Sequence, residues 1–238
     1  IAWTVGWALI LEYAVAAGAV AVGWSGYING LLHEMNMGLP AALMAGPADT
    51  ITLPDGTTSH GTFNLLAFAI SILITWLLVL GTSKSAKFTS ILVVVKVIAL
   101  SVFIVLAWPH IQHSNFVPML PNGWGTPLSG TGVLGAAASI FFAYVGFDAV
   151  STAAEETENP NRNIPIGLIG SLLVCTVFYL LVSYAAIGSM GAQPGGALSQ
   201  SKEPLAFVLK EIGFPGVGNA IGIAAVLALP SVVLMMIF

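Results

Sequence analysis

Charge is what this sequence has least of. Six Lys and Arg and ten Asp and Glu in 238 residues make 7% charged, where an ordinary soluble domain carries roughly a quarter. A soluble fold of this size could not cover its surface with so few charges, whereas a fold solvated by lipid can. The net charge of −4 leaves nothing to neutralise a row of phosphates, which excludes a nucleic-acid partner. There is one cysteine, Cys175, inside an apolar run. That excludes a disulfide framework, and the thiol reads as a small buried hydrophobe. No nucleophile elbow, phosphate-binding glycine loop or HExxH helix occurs, so an enzyme has no support, and no cofactor is implied.

What the sequence does have is apolar length. Hydrophobic residues make up 57% of the chain and the mean hydropathy is +0.96. A bilayer core needs about 20 mostly apolar residues per helix. Six runs qualify: 5–27, 63–81, 85–108, 132–154, 164–188 and 216–238. Breakers separate them, at Gly38 and Pro40, Pro54 to Gly56, Pro118 to Pro121, Pro160, and Pro194 to Gly196. Trp3, Trp7, Trp24, Tyr27 and Trp108 collect near span ends, where amphipathic rings suit the headgroup region. The fold class expected is therefore an all-α polytopic membrane protein in a single transmembrane domain, with the lipid bilayer as solvent. The chain opens at Ile1 and stops at Phe238 inside apolar runs, so it reads as cut at both ends.

Lysine and arginine set the expected orientation. The short connection between the second and third runs carries Lys84, with Lys87 in the first turn of the third run, and that between the fourth and fifth carries Arg162. The long connections 28–62 and 109–131 carry neither residue. By the positive-inside rule the short loops are cytoplasmic and the long ones external, with Lys202 and Lys210 also outside, in a longer loop.

Three ionisable residues fall inside spans, where charge is costly and functional by default: Glu12, Lys96 and Asp148. Lys96 lies about 16 Å into a helix that starts near Ser85, close to the bilayer midplane, beyond easy snorkelling to either surface. It is a proton carrier or fixed internal cation on one reading, and a helix-tying lysine on the other. Glu12 is either an acidic group lining a pathway or the partner of a lysine elsewhere. Asp148 follows Gly146, which weakens the helix. Asp148 either caps the half-helix beyond the break or stands beside carbonyls opened to a bound ammonium, the way discontinuous helices build transporter sites. His33, His60, His110 and His113 lie in connections or at span ends. The spacing of the last two is a weak metal signal, and no metal site is assigned.

The run 141–156, FFAYVGFDAVSTAAEE, resembles the sixth transmembrane helix of amino-acid permeases of the APC superfamily, with its nearest look to the cationic amino-acid transporter branch and its bacterial relatives. Residues 158–167, ENPNRNIPIG, are similar to that family's cytoplasmic loop, with the pattern N-P-x-R-x-x-P-x-G at 159–167. Residues 6–13, GWALILEY, look like the start of its third helix, and Val95-Lys96-Val97 like the middle of its fifth. The resemblance implies a partial LeuT-like fold of two inverted five-helix repeats, with helices three to eight present and the 159–162 loop in the cytoplasm. It implies an amino-acid substrate held at broken helices, through Phe142, Ala143, Tyr144, Val145, Gly146, Phe147 and Asp148, with Glu12 as an accessory. It also implies a coupling proton at Lys96, with Ser231 lining the same site. Pro230 stands where a Thr or Ser is expected. Glu155, Glu156, Asn159, Pro160, Arg162 and Pro165 form the loop, with Pro160 and Pro165 bounding a rigid turn and Arg162 able to pair with the glutamates for gating. The function expected is proton-coupled uptake by alternating access at the cell membrane. A non-transporting amino-acid sensor of the same fold is the alternative, and a channel finds no ring of like charges to support it.

Overall fold

A computed structural model of the chain describes residues 2–35, 37–47, 49–52, 58–80, 85–127, 130–146, 157, 159–191, 193 and 195–237. The main elements in chain order are α1 (Ala2–Glu34), a hairpin of β1 (Thr50–Thr52) and β2 (Thr58–His60), α2 (Leu65–Val79), α3 (Ser85–Ala107), α4 (Gly132–Ile140), α5 (Pro160–Met190), α6 (Ala197–Gln200), α7 (Pro204–Glu211) and α8 (Pro215–Ile237). Short 3-10 turns stand at Ala41–Leu43, Trp108–His110, His113–Phe116 and Phe141–Tyr144. Among the described residues, four helical segments are long and apolar enough to cross a membrane: Trp3–Glu34, Ser90–His110, Pro160–Met190 and Pro215–Ile237. Helix α2 is apolar but has 15 residues, about 22 Å of helix. The residues form two compact units, 1–102 with 200–238, and 103–199.

In the first unit α1, α2 and α8 share a core of Ala21, Ala67, Ile70, Ile74 and Val233. The alanines matter because apolar burial drives little association in lipid, so close backbone approach has to supply the packing. Asn64 sets where α2 starts. Its side chain accepts from the Ala67 amide at 3.0 Å, capping orphan donors, while its Nδ2 donates to Ser25 Oγ of α1 at 2.7 Å. Helix α1 continues to Glu34, beyond the apolar run that ends at Tyr27, because no proline intervenes before Pro40 and its last turns find tertiary partners. The Glu203 carboxylate lies against Gly30, where a Cβ would collide with it. Lys210 Nζ bonds Glu34 Oε1 at 2.8 Å and Glu203 Oε1 at 3.1 Å. Leu31 packs over Gly222 of α8. Short α7 opens on Pro204 and buries Ala206, Val208 and Leu209. Gly218 of α8 is required there, because a Cβ would stand 2.8 Å from the Ala206 carbonyl oxygen.

In the second unit the 3-10 turns after α3 pack on the end of α5. The Gly188 carbonyl accepts from the Gln112 amide and from Asn115 Nδ2, each at 2.8 Å, and Phe116 stacks on Tyr184 with ring centroids 4.9 Å apart. Cys175 is exposed on α5 rather than buried; an apolar thiol loses nothing on a surface suited to lipid. Helix α5 starts at Pro160, after Asn159 in the left-handed region at φ 50°. Proline's fixed φ suits a first helical position. Pro165 lies inside the helix and does not bound a turn. The carbonyl that loses its donor there belongs to Asn161, which is exposed in the first turn, where water can serve it.

Candidate functional site

Two places gather the residues singled out in the sequence. The first is a break after α4. Phe141 ends the α-helix with its amide on the Ala137 carbonyl, the chain tightens into a 3-10 turn over Phe141–Tyr144, and Gly146 follows at φ 102°, a conformation glycine reaches without a Cβ penalty. A helix that stops at this point frees carbonyls, and inside an apolar span they need donors. One side chain of α5 answers that need directly, and a second anchors the turn through Tyr144. Tyr179 donates its hydroxyl to the Ala143 carbonyl at 2.8 Å. The Tyr144 hydroxyl shares a 2.9 Å hydrogen bond with Thr176 Oγ1, which itself donates to Leu172 O at 2.7 Å. Tyr144 and Tyr179 meet edge to face with centroids 5.4 Å apart. Each carbonyl oxygen has two lone pairs, so Ala143 keeps one for another donor.

Thr176 and Tyr179 carry no mark in the sequence as site residues. The signal available is their spacing of three, which puts two hydroxyls on one face of an otherwise apolar helix. Phe147, Asp148, Glu155, Glu156 and Glu158 lie outside the described residues. Asn159, Pro160 and Arg162 stand at the exposed start of α5.

The second place is in the other unit. Lys96 of α3 donates from Nζ to Ser231 Oγ of α8 at 3.0 Å, and the Ser231 hydroxyl donates in turn to the Ala228 carbonyl at 2.7 Å. Lys96 is half-buried and makes no ion pair among the described residues. Glu12, half-buried on α1, is not brought to it. The hydroxyl suits either protonation state. It accepts from an ammonium while donating to Ala228, and by rotation it can donate to a neutral amine. His110 turns Nδ1 to the Leu106 carbonyl at 3.2 Å and His113 lies edge-on to Phe116. No cluster of three His, Cys, Asp or Glu able to hold a metal forms among the described residues.

A match to the amino acid permease family extends over residues 1–238. The chain belongs to that family. It is 41% identical over 240 aligned residues to the branched-chain amino acid permease BcaP of Bacillus subtilis, covering all of this chain and 48% of that protein. It is 37% identical over 238 residues to the methylthioribose transporter of the same organism, again 100% of this chain and 48% of the relative. The chloroplastic cationic amino acid transporter 9 of Arabidopsis thaliana is 33% identical over 226 residues, which are 95% of this chain and 37% of that protein. The chain thus spans about half the length of the curated relatives it matches. Those relatives are named as permeases or transporters, in keeping with the absence of catalytic signatures. This permease segment is a membrane protein, and its two residue clusters are a broken helix with free carbonyl capacity and a lysine held by a hydroxyl.

Proposed function

We propose that this permease segment forms the middle of a secondary active amino-acid transporter that couples uptake to protons by alternating access. The observation that carries the reading is the Lys96 Nζ to Ser231 Oγ bond at 3.0 Å. A lysine in an apolar helix with a hydroxyl for its partner can lose its proton without stranding a buried carboxylate, so its protonation state is free to follow the transport cycle. The broken helix supports the substrate half of the reading. An amino acid's ammonium group finds carbonyl acceptors around Phe142–Val145, with Gly146 allowing the bend and Phe147 closing the pocket. Asp148 and Glu12 are the acidic residues assigned to the substrate. Glu155, Glu156, Asn159, Pro160, Arg162 and Pro165 act in gating on the cytoplasmic side, as the charge asymmetry of the connections suggests, with the protein in the cell membrane.

Proteoliposomes of the full-length protein test this. An imposed inward proton gradient should drive accumulation of a labelled amino acid, and Lys96→Ala should lose that drive while retaining exchange across the membrane. Gradient-driven accumulation unchanged in Lys96→Ala would remove the coupling role. Amino-acid binding without net flux in the unmodified protein would mark a sensor instead.

A further inference from the structure

Pro230 sits in the interior of α8, immediately before Ser231. Proline has no amide hydrogen and its ring crowds the carbonyl four residues back, so Val226 O loses its helical donor. In an apolar span that oxygen has no water to turn to. Trp24 of α1 supplies the donor, its indole Nε1 reaching Val226 O at 2.8 Å. The freed carbonyl, the proline and the serine that holds Lys96 therefore lie on one short stretch of α8, and α1 grips that stretch from outside. Leu31 against Gly222 and Trp24 at Val226 give the two helices an antiparallel register, which brings α1 past the Ser231 turn.

We propose that Trp24 is a positioning residue for the proton site. Its indole holds the proline-interrupted turn of α8 at Val226, and that turn sets where Ser231 presents its hydroxyl to Lys96. The proposal rests on the coupling role of Lys96 advanced above. Helices α2 and α8 carry no titratable side chain, α3 adds Lys87 nine residues from Lys96, and α1 carries Glu12, Tyr13, Tyr27, His33 and Glu34. By this register Ser231 falls opposite about residue 19 of α1, so Glu12 and Tyr13 lie about 9–11 Å further along the axis, and the others lie toward the Gly222 end. The indole itself does not titrate, so any change it causes in proton dependence passes through Lys96.

The test is the pH profile of uptake by the full-length protein in proteoliposomes, for Trp24→Phe, Ser231→Ala, their double variant, and Lys96→Ala. Trp24→Phe should move the half-maximal pH in the same direction as Ser231→Ala, by a proton concentration of about threefold or more. It should add nothing in the Ser231→Ala background, because both act on one contact. A wild-type pH midpoint in Trp24→Phe, even with reduced rate or stability, overturns the proposal. So does an unshifted Ser231→Ala when Lys96→Ala abolishes the dependence. If Lys96→Ala keeps the wild-type profile, the coupling reading itself has failed. Should Trp24→Phe not fold, Trp24→Phe with Pro230→Ala returns a helical donor to Val226. That pair should fold with a displaced midpoint, and a wild-type midpoint in it overturns the proposal equally.

Discussion

At the residue scale the two clusters differ in what a single hydroxyl does. Ser231 accepts a hydrogen bond from Lys96 and donates one to the Ala228 carbonyl, so it partners a group whose charge can change. Tyr179 gives its proton to a backbone carbonyl at the helix break, and it fixes geometry. Tyr179→Phe is expected to loosen the Phe141–Tyr144 turn by the worth of one hydrogen bond, about 0.5–1.5 kcal/mol. Uptake kinetics should show this as a KM raised roughly 2- to 10-fold with the pH profile unmoved. A shifted pH profile would place Tyr179 in the coupling path instead. Lys96→Ala should do the reverse, removing gradient-driven accumulation at little cost in binding. The pair of variants read together separates substrate geometry from proton chemistry.

At the scale of elements, short polar devices place long apolar helices. Asn64 both caps α2 and ties its start to Ser25 of α1. Asn64→Ala should cost about 1 kcal/mol, typical of a lost cap. Thermal unfolding in detergent would register it, and Asn64→Asp, which keeps the cap acceptor but not the donor to Ser25, should recover part of the loss. Helix α7 depends on a bare backbone. Gly218→Val would push against the Ala206 carbonyl, since a Cβ there already stands 2.8 Å from that oxygen. Forcing α7 away from α8 should destabilise by about 1–3 kcal/mol, and should raise hydrogen exchange in 204–211 well above that in α2.

At the scale of the molecule, apolar residues cover the helix exteriors, and Lys210 pairs with both Glu34 and Glu203 at the end of α1. Burial pulls the Lys210 ammonium down, but hydrogen bonds and charge from Glu34 and Glu203 outweigh it and leave its affinity for a proton raised above the usual value of 10.5. A cationic group raised on folding stabilises fully below its unfolded pKa and loses that contribution as pH climbs through the folded one. Thermal stability of the wild type should therefore fall above pH 10.5 in a step that Lys210→Met lacks. At pH 8 the variant should be weaker by about 1 kcal/mol, the scale of a partly exposed pair. An identical alkaline loss in both proteins would deny the triad any part in stability.

The membrane character and the all-α class could be read from the sequence, because lipid demands continuous apolar length and punishes isolated charge, and both are properties of consecutive residues. Lys96 stood out for the same reason. Helix ends were less legible. The last seven residues of α1 are helical through Glu203 and Lys210, which lie far along the chain, and Pro165 stays inside α5 because water reaches the carbonyl it frees. Partners could not be read at all. That Lys96 meets Ser231 and not Glu12, that Tyr179 takes the Ala143 carbonyl, and that Trp24 takes the one Pro230 releases were decided by tertiary packing, since hydrogen bonds between helices depend on rotation and register that no local pattern encodes.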